Sequence, residues 1–467
     1  MIYNLLGCAD KTFDGMPMRR AGGFVGYCLI LFAKGEELHL LSPLGGSKVH
    51  RVSLYADDVV AFLAPRKEEF AVTKTILNCF EGATGMGTNL AKCSITPIRC
   101  AEETMQDLVT IFPCTISSFP CKYLGMPLSI YKLTKAQEQP LVDAVADRLP
   151  LWMSKLLNRA GRLVLTKVTL TSLIIYPAIA LTISPWAIKV IDRLRKAFLW
   201  KGTEVVSGGH CLVAWPKVCT PVEYGGLGIL DLRLMGMALR MRWLWISRTE
   251  QDRPGAEMPV QKNRRMEKLF DESLMVEVRN GASVRFWTDK WLDGRSIRSI
   301  APSLIEIIPA RTRNSRTVRD ALLNKNWVRD IKGGLTVQVI LDYLRVWRLV
   351  EAVQLVDEPD IFKWKWSRDG TYSAASTYRA FFHGLPLQMG AKQLWKVKAP
   401  NKCRFFFWLV LHGRCWTSER LQRHNLPNHG DCALCSQQTE LLDHFWLAAF
   451  TVVRYGTERS EIMDGNS

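Results

Sequence analysis

The chain has 467 residues, 48% apolar and only 23% charged, and its 62 Lys and Arg against 44 Asp and Glu give a formal charge of +18. That much apolar side chain buries real cores and excludes a disordered tail, and the length allows roughly three domains of ~150 residues. The positive excess points to a polyanionic partner, nucleic acid before an anionic membrane, and argues against an enzyme whose only ligands are small acids.

At the N-terminus, Met1-Ile2-Tyr3-Asn4 lacks the basic-then-apolar layout of a secretory signal. The thirteen cysteines are scattered and odd in number. Both features predict a reducing, intracellular location, nuclear or cytoplasmic and not secreted, where cysteines stay thiols or hold metal. Residues 1–50 are glycine-rich (Gly15, Gly22, Gly23, Gly26, Gly35, Gly45, Gly46) and weakly patterned, and do not read as a complete domain. From Arg51 the signal sharpens. Val52-Ser53-Leu54-Tyr55 and Val59-Val60-Ala61-Phe62-Leu63 are β-prone runs separated by Ala56-Asp57-Asp58, which predicts a hairpin. Two consecutive carboxylates at its turn repel each other, and a hard divalent cation such as Mg²⁺ resolves the conflict. Beside a nucleoside triphosphate such an ion polarises the phosphoryl oxygen. An ordinary Asp-Asp turn is the alternative. A helix follows over 67–82, with Phe70, Ile76, Leu77 and Phe80 as its apolar face.

Between 134 and 200 the pattern is helical, with Leu141, Val145 and Leu149 four apart in a core-facing stripe. The 21 residues between Lys167 and Lys189 carry no formal charge and are long enough to span a bilayer. They hold Thr169, Thr171, Ser172, Thr182 and Ser184, enclose Pro177 and Pro185, and are flanked by Arg159, Arg162, Arg193 and Arg195. A buried helix pair broken near Pro177 is the expectation, a membrane-embedded segment the alternative, and no membrane partner is expected. A glycine hinge, Tyr224-Gly225-Gly226-Leu227-Gly228, leads into a further helix through Trp243. From Arg240 to Arg348, 22 Lys/Arg face 13 Asp/Glu, interleaved with Trp243, Trp245, Trp287, Trp291, Trp327 and Trp347. Basic groups neutralise phosphates and indoles stack on bases; alternatively the tryptophans are core and the charges a solvated face. The aromatic-rich stretch 362–450 ends in Cys432-Ala433-Leu434-Cys435 and His444, a C-x2-C-x8-H pattern. Two thiolates and an imidazole are three Zn²⁺ ligands; His429, His424 or water completes four, and buried thiols are the alternative.

Several of these segments resemble one family. Ser53-Leu54-Tyr55-Ala56-Asp57-Asp58-Val59-Val60-Ala61-Phe62 is similar to the active-site hairpin of reverse transcriptases from non-LTR (LINE-type) retrotransposons. Gly85-Met86-Gly87-Thr88-Asn89-Leu90-Ala91-Lys92-Cys93 resembles that family's following motif. Phe119-Pro120-Cys121-Lys122-Tyr123-Leu124-Gly125-Met126-Pro127-Leu128 resembles its primer-gripping hairpin. Ala160-Gly161-Arg162-Leu163, Phe198-Leu199-Trp200-Lys201-Gly202 and Gly225-Gly226-Leu227-Gly228 are similar to the thumb of plant LINE-type polyproteins, and 281–291 to their connecting region. Trp395-Lys396-Val397-Lys398-Ala399-Pro400-Asn401-Lys402 and Phe405-Phe406-Phe407-Trp408-Leu409 look like their zinc-binding domain. The resemblance covers about 38–450.

It implies an α+β fold: a partial right-hand polymerase palm with a β-hairpin active site, a mainly helical thumb and connector, and a small C-terminal helical Cys/His module. The implied division is a degenerate N-terminal remnant (1–50), partial palm (51–130), thumb-like region (131–250), basic connector (251–360), zinc-binding-like domain (361–450) and loose tail (451–467). Asp57 and Asp58 would hold Mg²⁺ or Mn²⁺, Lys92 would sit near the incoming triphosphate, and Tyr123, Leu124 and Gly125 near the primer terminus. Cys432, Cys435 and His444, with His429, would hold Zn²⁺, and RNA template with DNA primer would be the partners. The sequence departs from the family in two ways that matter. In register with Lys11-Thr12-Phe13-Asp14, the family's upstream metal carboxylate falls on Cys8, a soft thiol; Asp10 and Asp14 are the possible substitutes. Ala449 stands where the zinc pattern has its last cysteine. With 54 residues before Tyr55 and no recognisable nucleotide-pocket segment, fingers or endonuclease, the expectation is a truncated, polymerase-derived chain with little or no activity alone. The alternative is a non-catalytic RNA- or DNA-binding protein.

Overall fold

The computed structural model describes residues 2–5, 52–55, 58–149, 151–250, 253, 256, 260–261, 263–428, 430–431 and 441. The chain divides into two units, Met1–Glu138 and Gln139–Ser467. Among the described residues helix outweighs strand 53% to 8%, and the strands form small separate sheets, so the class is mixed α+β.

In the first unit, β1 (Ile2–Leu5), β2 (Val52–Tyr55), β3 (Asp58–Phe62), β4 (Ser94–Thr96) and β5 (Thr115–Ile116) form one sheet in the order β2-β3-β1-β4-β5. The hairpin expected at the aspartate pair is present, with Tyr55 opposite Asp58. β1 was not expected. It pairs antiparallel with both β3 and β4, Leu5 opposite Val59 and Asn4 opposite Ser94. Four residues are too few to show an alternation of their own, so its place is set by the two neighbours.

One face of this sheet is dry. Val59, Ala61, Leu63 and Ile95 pack against Phe70, Ile76, Leu77 and Phe80 of helix Lys67–Thr84 and Met105 and Leu108 of helix Glu102–Ile111. Full burial of a side chain such as Phe70 stabilises by ~2–3 kcal/mol. The first helix places Glu68 and Glu69 in its first turn, where they complement the macrodipole, and ends at Gly85 with φ 70°. A second hairpin joins β6 (Cys121–Tyr123) to β7 (Met126–Leu128) through Leu124 and Gly125, at φ 48° and 78°. Two positive φ values are what a two-residue hairpin turn of this hand requires. Glycine adopts them freely, whereas Leu124 bears a cost of ~1–2 kcal/mol.

In the second unit, helix Arg159–Leu165 runs through a π-turn, Thr166–Leu170, into helix Ser172–Ala180. The break expected at Pro177 falls instead at Leu181, after which Ser184 caps helix Pro185–Trp200 by accepting from the Ala187 N–H at 3.2 Å. Pro177 sits in the last turn and forfeits only its own bond to the carbonyl four residues back. By length and composition Arg159–Ala180 is long and apolar enough to cross a membrane. Leu170, Ile174 and Ala178 on it are buried with Val145, Leu149, Ile191 and Phe198.

The glycine segment at 224–228 is not a hinge. A Cβ on Gly226 would lie 1.9 Å from the Thr220 carbonyl oxygen, and Leu227 and Ile229 are fully buried. Lys217 Nζ donates to Tyr224 O (2.8 Å), while Trp408 Nε1 (2.9 Å) and His412 Nε2 (2.7 Å) both donate to Gly225 O. Residues from 160–229 and from 394–409 thus make one core around Leu199, Trp200, Leu227, Phe405 and Trp408.

Three of the interleaved tryptophans are core, as the alternative reading has it. Trp287, Trp291 and Trp327 are buried with Phe286, Ile297 and Val346, so none of the three offers a face to a base. Trp287 Nε1 donates to the buried Asp330 carboxylate at 3.0 Å, and Arg316 closes on the same group through Nε (2.9 Å) and Nη2 (2.5 Å). A last ribbon pairs β8 (Leu274–Glu277) with β9 (Ile361–Trp364), and Trp364 packs on Phe270, Met241 and Tyr378.

Candidate functional site

Because side chains alternate along a strand, the residues of β3 that do not enter the core share the opposite face. Val59 and Ala61 are core; Asp58 and Val60 lie on the other side, and Asp58 is half-buried at the strand's first position. On β4 the same rule puts Ile95 in the core and Ser94 and Thr96 opposite. The hairpin expected to grip a primer closes over this face. Val60, Ser94, Thr96, Lys122, Tyr123 and Leu128 line one cavity of about 180 Å³. Thr96 Oγ1 and Ser117 Oγ, 2.7 Å apart, tie its floor to the segment leading into the hairpin.

Lys92 is exposed and ends the short 3₁₀ turn Leu90–Lys92, which Asn89 caps by accepting from the Ala91 N–H at 3.1 Å. β1 lies between β3 and β4, and its Leu5 end is level with both Val59 and the start of β4. Asp58 at the start of β3 and the turn Leu90–Lys92 just before β4 therefore belong to the same end of the sheet. Asp57 and Cys8 lie outside the described residues. Asp58 carries hard carboxylate oxygen at the first position of β3, the donor chemistry Mg²⁺ or Mn²⁺ takes.

His429, Cys432, Cys435 and His444 also lie outside the described residues. Among the described residues no group of three or more His, Cys, Asp or Glu is placed to hold a metal. His424 is described; its ring meets Trp416 edge-on at 5.5 Å. His412 is pushed below the usual histidine range, by burial first. The neutral ring with its proton on Nε2 is the form that donates to Gly225 O.

A second concave surface was not foreseen. Arg159, Phe406, Arg414, Cys415, Trp416 and Thr417 line a cleft of about 410 Å³ in the second unit. The available signal was charge: 390–428 holds eight Lys/Arg and a single acidic residue, Glu419.

Two comparisons with known proteins bear on this chain. Residues 372–453 match the family model for zinc-binding in reverse transcriptase, a segment that includes His429, Cys432, Cys435 and His444. The chain is also 26% identical over 360 residues to a protein of Arabidopsis thaliana named as a ribonuclease H, covering 68% of this chain and 55% of that protein. The chain thus spans about half the length of the curated relative it matches. Together the two likenesses support a retroelement-derived, reverse-transcriptase-related chain.

Proposed function

We propose that the chain is the palm-to-zinc-module part of a LINE-type reverse transcriptase, an RNA-directed DNA polymerase by descent, which engages RNA template and DNA primer but extends poorly alone. One juxtaposition carries this reading: Asp58 shares a sheet face with Val60, over which Lys122 and Tyr123 of the second hairpin close. Asp57 and Asp58 would hold Mg²⁺ or Mn²⁺, which supplies charge stabilisation at a phosphoryl oxygen. Lys92 adds positive charge at the same sheet end, suited to a triphosphate, and the turn at Tyr123, Leu124 and Gly125 bears on the primer end. Two carboxylates from one turn approach a phosphoryl group from one side only, and the family's opposing carboxylate position is Cys8, whose sulfur suits Mg²⁺ poorly.

Given an RNA template annealed to a DNA primer, the full chain should bind the duplex at low salt and extend it only at background level with Mg²⁺ or Mn²⁺. Robust extension that vanishes in Asp57→Ala would overturn the claim of weak activity; absence of duplex binding would overturn the nucleic-acid reading. A non-catalytic RNA- or DNA-binding role is favoured by the excess of 22 basic over 13 acidic residues between Arg240 and Arg348. In that case Asp57→Asn alters nothing beyond metal binding.

Cys432, Cys435, His444 and His429 would hold one structural Zn²⁺. Metal analysis of the purified chain should return about one equivalent, lost in Cys432→Ser. Less than about half an equivalent would leave these cysteines as ordinary thiols.

A further inference from the structure

We infer that the cleft at Trp416 stacks an unpaired base of single-stranded nucleic acid, with Arg159 and Arg414 neutralising the adjoining phosphates. This rests on the nucleic-acid reading above but not on any polymerase chemistry.

The first support is an aromatic pair left open to water. Trp416 is 56% exposed and Phe406 43% exposed, although both line the same cleft. An indole at the surface forfeits the burial that tryptophan ordinarily gains, so two such rings in one concavity mark a binding surface more than a packing one. The Trp416 ring is also held in place. The Arg420 guanidinium lies 4.7 Å from its centroid, and His424 meets it edge-on. Arg420 is itself anchored by donating to the Gly413 carbonyl at 3.2 Å. A ring held by a cation and still more than half exposed is a preformed platform for a second π-system, and stacking there spends little side-chain entropy.

The second support is charge. Eight basic residues face one acidic residue over 390–428, and that one, Glu419, is paired with Arg423. Arg159 and Arg414 are exposed, and among the described residues neither is in an ion pair. Their fields are felt nearby: after burial, Arg159 is the next cause holding Arg162 below its usual value, and Arg414 contributes to the lowering of His412. Uncompensated guanidiniums at the rim of an aromatic cleft complement a phosphodiester backbone carrying exposed bases. An apolar protein segment would match the rings and leave the arginines unanswered.

The test uses the full chain and fluorescently labelled short oligo(U) and oligo(dT), each beside an abasic strand of the same length, read by anisotropy. Trp416→Ala should weaken binding of the base-bearing strands about 5- to 100-fold. Trp416→Phe should keep most of the affinity, and abasic strands should bind wild type and Trp416→Ala alike. Arg159→Ala and Arg414→Ala should each lower the slope of log affinity against log salt by about 0.7. The inference is overturned if Trp416→Ala binds like wild type, if it loses equally on abasic strands, or if polyglutamate competes as well as oligonucleotide. If the unaltered chain binds no strand at all, the broader nucleic-acid reading fails as well; insensitivity to Trp416 in a chain that does bind defeats only this inference.

Discussion

Replacing Arg195 with methionine should cost the second unit about 3 kcal/mol, the low end of the range for breaking a buried ion pair from one side, because Asp192 keeps 24% exposure. Arg195 is fully buried, yet it is charged. Its Nη1 donates to Asp192 at 2.7 Å, and its Nη2 donates to Thr171 Oγ1 (3.0 Å) and Leu230 O (2.9 Å). One side chain thus ties the π-turn, helix Pro185–Trp200 and the chain leading into helix Leu232–Thr249, and its guanidinium lies 5.5 Å from the Trp215 ring. Methionine fills much of the volume and supplies no donor, so three acceptors lose a partner.

The loss should depend on pH in a defined direction. Burial raises the Asp192 pKa above 3.8, and Arg195 is the principal group holding it down. Without Arg195 it rises further. A carboxyl with a raised folded-state value favours folding while protonated and loses that contribution as pH climbs from its unfolded value through its folded one. The deficit of Arg195→Met should therefore be smaller near pH 4 and fully developed at neutral pH. Adding Asp192→Leu should recover much of it, since the orphaned charge is then gone. Urea denaturation followed by tryptophan fluorescence at the two pH values measures both effects; a deficit below about 1 kcal/mol at neutral pH would show that water or relaxation replaces the network.

Trp408→Ala is the other large loss, about 3–5 kcal/mol. Trp408 is fully buried against Trp200 and Phe405, at ring separations of 6.4 and 5.6 Å, and it holds Gly225. Alanine leaves a cavity where helix Asn401–Leu411 meets the 160–229 segment. Trp408→Phe separates the two contributions. It keeps a ring and drops the N–H, and His412 still donates to Gly225 O, so about 1–1.5 kcal/mol is expected. Hydrogen exchange at Leu227 and Ile229 should accelerate far more in the alanine variant than in the phenylalanine one. Equal protection in both would mean the glycine segment is held without the indole.

Local chemistry made part of this legible from residues alone. Asp57-Asp58 between two apolar runs announced a hairpin, because turn residues and alternation both act within ten positions. The face of helix Lys67–Thr84 was equally visible, since Phe70, Ile76, Leu77 and Phe80 recur at helical spacing and all four are buried. The sheet face that gathers Asp58 with the second hairpin was legible only as motif order; its geometry needed the register of β1, β3 and β4.

What the amino-acid order determined by itself is the set of local elements, the charge excess and the motif chemistry: a carboxylate turn, a Cys-x-x-Cys pair and a basic, aromatic chain. Only the tertiary structure decided which aromatics are spent on packing and which stay available. Trp287 and Trp416 both lie in stretches with a basic excess, yet one is fully buried beside Asp330 and the other is exposed, with Arg420 over its ring. The same holds for the glycines at 225–228, fixed by Trp408 from 183 positions away. Burial depends on which distant segments close over a residue, and that information is absent from any local window.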